Sequence, residues 1–166
     1  MLKKTTVAAA ALLLGLSAPA AQADEALVTF KMLNLETAQE LANATLNECR
    51  KQGFQVAVAV VDRFGNLQVS LRDRFAGPHT SETARRKAWT SVSFRTDTMA
   101  LSDLTQAGKA QSGVRFIEDA LMAGGGVQVE AGGSIVAGVG VSGAPGGQLD
   151  HDCALVGIEA IGDKLF

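Results

Sequence analysis

The sequence predicts an α+β domain with a central antiparallel sheet and helices at both chain ends. Three observations carry this reading. Two pairs of short, β-branched runs are each joined by a tight glycine-bearing turn, as in hairpins. Stretches with a 3.6-residue apolar period stand before, between and after those hairpins. The resulting order, α-β-β-α-α-β-β-α, keeps hairpins and helices apart instead of alternating single strands with crossovers.

Before the first element stands a segment of another kind. Lys3 and Lys4 precede an apolar run from Val7 to Leu16, and Ala21-Gln22-Ala23 is followed by Asp24 and Glu25. A basic start, a short apolar core and a small-x-small site form an export signal. The run is about half the ~20 residues that cross a bilayer, so the segment reads as a cleaved signal and not an anchor. The expected processed protein is residues 24–166, periplasmic or secreted, with Ala18-Pro19-Ala20 as a second candidate cleavage site. It keeps 13 basic residues against 17 acidic ones, a formal charge of −4. That balance gives no electrostatic reason to bind nucleic acid. About 143 residues make one domain with one core.

Leu35 to Gln52 carries the first helical stripe, Leu35, Ala38, Leu41, Ala42, Thr45, Leu46 and Cys49, with Asn34 as cap and Gly53 at the end. Gln55 to Asp62 and Leu67 to Arg72 form the first hairpin, turning at Arg63-Phe64-Gly65-Asn66. After a loop from Asp73 to Pro78, Thr80 or Ser81 caps a helix that runs to about Phe94. Thr98 to Lys109 reads as a shorter helix, and residues 110–122 fit no single pattern. Val127 to Glu130 and Ile135 to Val141 form the second hairpin, turning at Gly132-Gly133. Leu149 to Leu165 is the expected closing helix.

Cys49 and Cys153 are the two cysteines. In an oxidising compartment they can form a disulfide, which would close a loop of about 100 residues. The alternative is two buried free thiols that pack as small hydrophobes. The spacing does not choose between these.

Some motifs suggest chemistry. Gly138-Val-Gly140-Val-Ser142-Gly143 matches G-x-G-x-x-G after a strand. A dinucleotide site also needs a helix, a further parallel strand and an acidic residue, and the chain after Gly143 is too short for them. Glycines there let a strand approach another backbone or a ligand. Ser142 falls one glycine short of a nucleophile elbow. Asp150-His151-Asp152 supplies ligand-type side chains, but helical neighbours diverge too far to chelate one ion together. His79, in a loop opening onto a helix, is a usable metal ligand. Arg85, Arg86 and Lys87 lie beside an apolar helix face, where basic groups can receive the carboxylates of an apolar acid.

Three of these segments together resemble one family. They are Val-Ala-Val-Val-Asp62-Arg-Phe-Gly65-Asn-Leu, Arg85-Arg86-Lys87-Ala88-Trp-Thr, and Gly140-Val-Ser142-Gly143-Ala144-Pro145-Gly146-Gly147-Gln-Leu-Asp150. In this order they resemble the GlcG/HbpS family of haem-binding-protein-like domains, related to the C-terminal domain of PduO. The resemblance runs from about Leu35 to Gly162. It implies a profilin-like α/β/α sandwich, homo-oligomers, and in some members haem as ligand. It marks His79 and Thr80 as candidates for the haem site, with His79 first for the iron. Arg85 or Lys87 would meet a propionate, and Gly140, Ser142, Asp150 and His151 would lie near. The apolar face of haem is expected between the second helix and the sheet.

The leading expectation is therefore an exported small-ligand binder for haem or another tetrapyrrole, without catalysis, with a sensor or transport partner. One alternative is an enzyme on a small organic acid or tetrapyrrole, using Lys87, Ser142 and Asp150. The other is a ligand-free oligomeric signalling or structural subunit.

Overall fold

The structure, a computed structural model, describes residues 26–166. The export signal expected over residues 1–23 lies outside the described residues. Two compact units divide the chain at Phe30. Of the first, residues 26–30 are described, and they are exposed. The second, Lys31–Phe166, is the domain considered below.

Its elements are α1 (Leu35–Lys51), β1 (Ala57–Asp62), β2 (Leu67–Arg72), α2 (Thr80–Phe94), α3 (Thr98–Leu104), β3 (Gly126–Ala131), β4 (Ser134–Ser142) and α4 (Gly147–Glu159). The four strands form one antiparallel sheet in the order β2-β1-β4-β3. Helices α1 and α4 cover one face and α2 the other, so the domain is an α/β/α sandwich. The expected fold class is therefore observed.

Alternation along β1 builds both layers. Val58 and Val60 join Leu41, Leu46, Val139 and Val141 in the main core under α1 and α4. Ala57 and Ala59 meet Ala84, and Val61 meets Ala88 and Val92, on the α2 side. Small residues on that side let α2 sit close to the sheet. Asn34 caps α1, its Oδ1 accepting from the Thr37 amide at 2.8 Å.

Two helices are shorter than the sequence suggests. Helix α3 stops at Leu104, not near Lys109. The Thr105 hydroxyl donates to the Leu101 carbonyl, and the Arg115 guanidinium takes the carbonyls of Ser102 and Thr105. Side chains thus satisfy the helix end, and Gly108 follows in the left-handed region at φ +83°. Arg115 itself belongs to a 3-10 turn, Ser112–Phe116, in the stretch without a clear sequence pattern. Helix α4 stops at Glu159, and a 3-10 turn over Gly162–Lys164 replaces its expected last turn. That change of direction buries Ile161 and Leu165 against the main core.

Cys49 and Cys153 form a disulfide between α1 and α4, with their Cα atoms 5.5 Å apart. Both are completely buried, so the bond sits inside the core and not at its rim. Close contact of the same two helices is also set by Gly157, where a Cβ would strike the Thr45 hydroxyl. The Cys49→Ala/Cys153→Ala variant should lose about 4–5 kcal/mol, the loop-closure value for a link of this length, measured by urea unfolding. Unchanged unfolding would show that the bond does not restrain the unfolded chain.

Candidate functional site

Lys87 lies on α2 with its aliphatic stem and ammonium enclosed, and Asp150 lies in the first turn of α4. Each is less than 5% exposed. Lys87 Nζ donates to Asp150 Oδ2 at 2.8 Å and to the Val141 carbonyl at 2.9 Å. Asp150 Oδ1 accepts from the Ala144 amide at 3.0 Å. One ion pair thus ties α2, the end of β4, the following loop and α4. Burial pushes the Asp150 carboxyl above its ordinary range, against the pull of the Lys87 ammonium and the Ala144 amide.

Glycines make room for this pair. Gly125, at φ +115°, would carry a Cβ 2.7 Å from the Asp150 Cβ and 3.1 Å from Lys87 Nζ. A Cβ at Gly126 would strike the Lys87 carbonyl, and one at Gly140 the Ala84 carbonyl. Gly126 and Gly140 are direct cross-strand neighbours, so α2 rests on a bare patch of backbone. In the G-x-G-x-x-G match, Gly138 and Gly140 are taken up by packing against α2, and Gly143, at φ +131°, lies against the backbone of Gln55 and Val56.

These facts correct two sequence expectations. Haem cannot lie between α2 and the sheet, because backbone contact fills that seam. Lys87 cannot meet a propionate at the surface, because its ammonium is enclosed and bound. Ser142, also buried, stands between the two backbone groups that hold the pair. His151 is half-buried, and its Nδ1 is enclosed without a hydrogen-bond partner.

The remaining candidates lie at the start of α2. His79 is exposed, precedes the helix, and makes no side-chain cap bond. Its ring rests on Gly77, where a Cβ would come 2.8 Å from Cε1 and 3.0 Å from Nδ1. Thr80 is buried, its hydroxyl donating to the Gly77 carbonyl at 2.7 Å. The loop before His79 is held firmly. Asp73, also buried, accepts from Arg50 Nε at 2.8 Å and Nη2 at 2.6 Å, and from the Val56 amide at 3.3 Å. Arg72 donates to the carbonyls of Ala76 and Gly77. Between these anchors Arg74 and Phe75 project, Phe75 being 80% exposed. The sequence reading did not single out either residue, though the Arg-Phe pair beside His79 was visible.

Arg85 is engaged elsewhere. It pairs with Glu82 at 2.7 Å and Asp119 at 2.5 Å. Its neighbour Arg86 donates to the carbonyls of Asp119 and Ala120. Together they fasten the segment before β3 onto α2. The candidates therefore form two groups, an enclosed one around Lys87 and Asp150 and an open one around His79. Clefts of about 410, 450 and 320 Å³ open elsewhere, and no predicted site residue lines them. Among the described residues no cluster of three or more His, Cys, Asp or Glu side chains is arranged to hold a metal ion.

A family model described as haem degrading protein HbpS-like matches residues 33–159. The chain belongs to the HbpS-like family. Corrinoid adenosyltransferase PduO of Salmonella typhimurium is 33% identical over 131 residues, 78% of this chain and 39% of that protein. This HbpS-like chain thus spans well under half of the curated relatives it matches. A crystal structure of an HbpS double mutant from Streptomyces reticuli superposes with a TM-score of 0.77 at 40% identity, covering 87% of this chain and 97% of that one. A crystal structure of a PduOC–heme complex gives a TM-score of 0.74 at 32% identity, covering 78% and 95%.

The enclosed pair of this HbpS-like domain has a measurable consequence. Lys87→Met should cost about 3–5 kcal/mol in urea unfolding, since it leaves a buried carboxylate alone. Lys87→Met/Asp150→Leu should recover most of that loss. A raised carboxyl value means that the folded state holds its proton above the ordinary value of 3.8, where the unfolded state has released it. This group's contribution therefore falls as pH rises through that window. Without Lys87 the window widens upward, so acidification should raise the melting temperature of Lys87→Met relative to wild type.

Proposed function

We propose that this domain is an exported haem-binding protein that captures or senses its ligand and does not transform it. The observation that carries the reading is the open imidazole of His79 on an anchored loop, next to a projecting phenylalanine and arginine. These residue types fit haem. His79 would offer Nε2, the nitrogen away from Gly77, to the iron. Phe75 would lie on the macrocycle, and the Arg74 guanidinium would take a propionate. The loop's anchors reduce the ordering cost that binding would otherwise carry. Family membership and the heme complex of PduOC support this choice of ligand.

Catalysis at Lys87, Ser142 and Asp150 is the weaker reading, because that lysine and aspartate bind each other and the backbone, out of reach of a substrate. Export belongs to the same proposal, as do a homo-oligomeric state and a sensor or transport partner.

Hemin added to the purified protein should give a shifted Soret band, and His79→Ala should weaken binding by about tenfold or more, equivalent to about 1.4 kcal/mol. An unshifted spectrum at micromolar protein would end the haem reading. A shift indifferent to His79→Ala would move the iron elsewhere. Export has its own check. N-terminal sequencing of the protein recovered from a periplasmic extract should begin near Asp24, and an intact Met1 would refute it.

A further inference from the structure

The last turn of α1 does two jobs at adjacent residues. Cys49 carries the bond to Cys153 of α4, and Arg50 carries the guanidinium that holds Asp73. The helix ends one residue later, at Lys51. The chain then folds back, the amides of Gly53 and Phe54 donating to the carbonyls of Arg50 and Cys49. A terminal helical turn opens more readily than the middle of its helix. Here the disulfide clamps that turn to α4, while its sequence neighbour reaches the other way, to the end of β2.

Asp73 is where the His79 loop begins. Its amide donates to the Val56 carbonyl at 2.9 Å, and its carbonyl accepts from the Ala76 amide at 3.1 Å. Among the described residues Arg50 is the cation paired with its carboxylate, and the Val56 amide is its other partner. The pair is lopsided, Arg50 being 48% exposed and Asp73 4%. If the last turn of α1 swings away, Arg50 can follow it into water, but Asp73 cannot. A buried carboxylate is then left with one amide, and it regains solvent only by carrying the backbone of Asp73 and Ala76 outward. Arg72 still ties the carbonyls of Ala76 and Gly77, so the loop loosens without being released.

We infer that Arg50 is a positioning residue that couples the Cys49–Cys153 bond to the His79 loop. The oxidised chain holds the loop in place, and the chain with two free thiols holds it loosely. In the oxidation, two cysteine thiols become the disulfide while an external disulfide becomes two thiols, so protons and electrons balance. Ligand affinity then follows the redox state of a pair buried in the core. The coupling stands on the geometry of α1 and Asp73, and its consequence for affinity rests on the haem reading.

The test compares the oxidised protein with Arg50→Met, Cys49→Ala/Cys153→Ala and the triple variant, all in sucrose to keep the less stable forms folded. Without ligand, amide hydrogen exchange at Asp73 and Ala76 should be faster in every variant than in the oxidised protein. In Arg50→Met, which keeps the bond, the amides of Leu41 and Leu46 in the core should exchange at the unaltered rate, and Arg50→Lys should restore part of the protection at Asp73. In hemin titrations, Arg50→Met and Cys49→Ala/Cys153→Ala should each bind about fivefold more weakly. The triple variant should bind no more weakly than Arg50→Met, because both changes act through one contact. The inference is overturned if Asp73 and Ala76 exchange in either parent variant as they do in the oxidised protein, or if the cysteine effect persists in full in the Arg50→Met background. A hemin spectrum unshifted by the oxidised protein ends the haem reading instead, and the exchange rates then decide the coupling.

Discussion

The Lys87–Asp150 ion pair is the constraint around which this domain is arranged. Two opposite charges with less than 5% exposure need each other and their backbone partners, since either alone would be a buried unpaired ion. Their meeting fixes where α4 begins relative to α2. It also requires the Val141 carbonyl and the Ala144 amide to lie at the same point. Nothing bulky can then pass beside them. That is why Gly125 crosses at φ +115°, and why Gly126 and Gly140 offer bare backbone to α2. An apolar pair of similar volume would have met the packing demand at lower desolvation cost. The polar pair adds direction, because it joins specific groups on α2, β4 and α4 and no others.

Such tight seating has a functional corollary. A seam made of helix backbone on sheet backbone has no volume for a ligand, so the haem site we propose falls at the N-terminal end of α2 and not in the seam. The N-terminal end carries an exposed imidazole on a loop anchored through Asp73 and Arg72. Close packing of α2 on the sheet gives that loop a firm base, the usual division between scaffold and surface loop.

The fold was largely legible because its signals are local. Strand alternation in β1, the Gly132-Gly133 turn and the Asn34 cap each depend on neighbours in sequence, and each is where the pattern placed it. The lengths of α3 and α4 were misjudged because their ends are set by distant contacts, Arg115 on the Ser102 carbonyl and the burial of Leu165. The cysteine pair was undecided for the same reason. A separation of 104 residues says nothing about the 5.5 Å between their Cα atoms. The sequence offers Lys87 and Asp150 as ligand-site candidates, and the structure makes them partners of each other; a lysine on a helix gives no sign in sequence that its ammonium is enclosed.

The glycines show how one composition can support opposite readings. Eighteen glycines, several in G-x-G spacing, suggest phosphate binding when read as a motif. What decides is the atom that a Cβ would meet. A phosphate loop turns its amides toward open space at a helix N-terminus. Here the space above Gly140 and Gly126 is already taken by the backbone of α2, at Ala84 and Lys87. The helix that would be the ligand's neighbour in a nucleotide fold is, in this domain, the occupant of the site. Glycine at these positions therefore serves the ion pair, by letting α2 come close enough for Lys87 to reach Asp150.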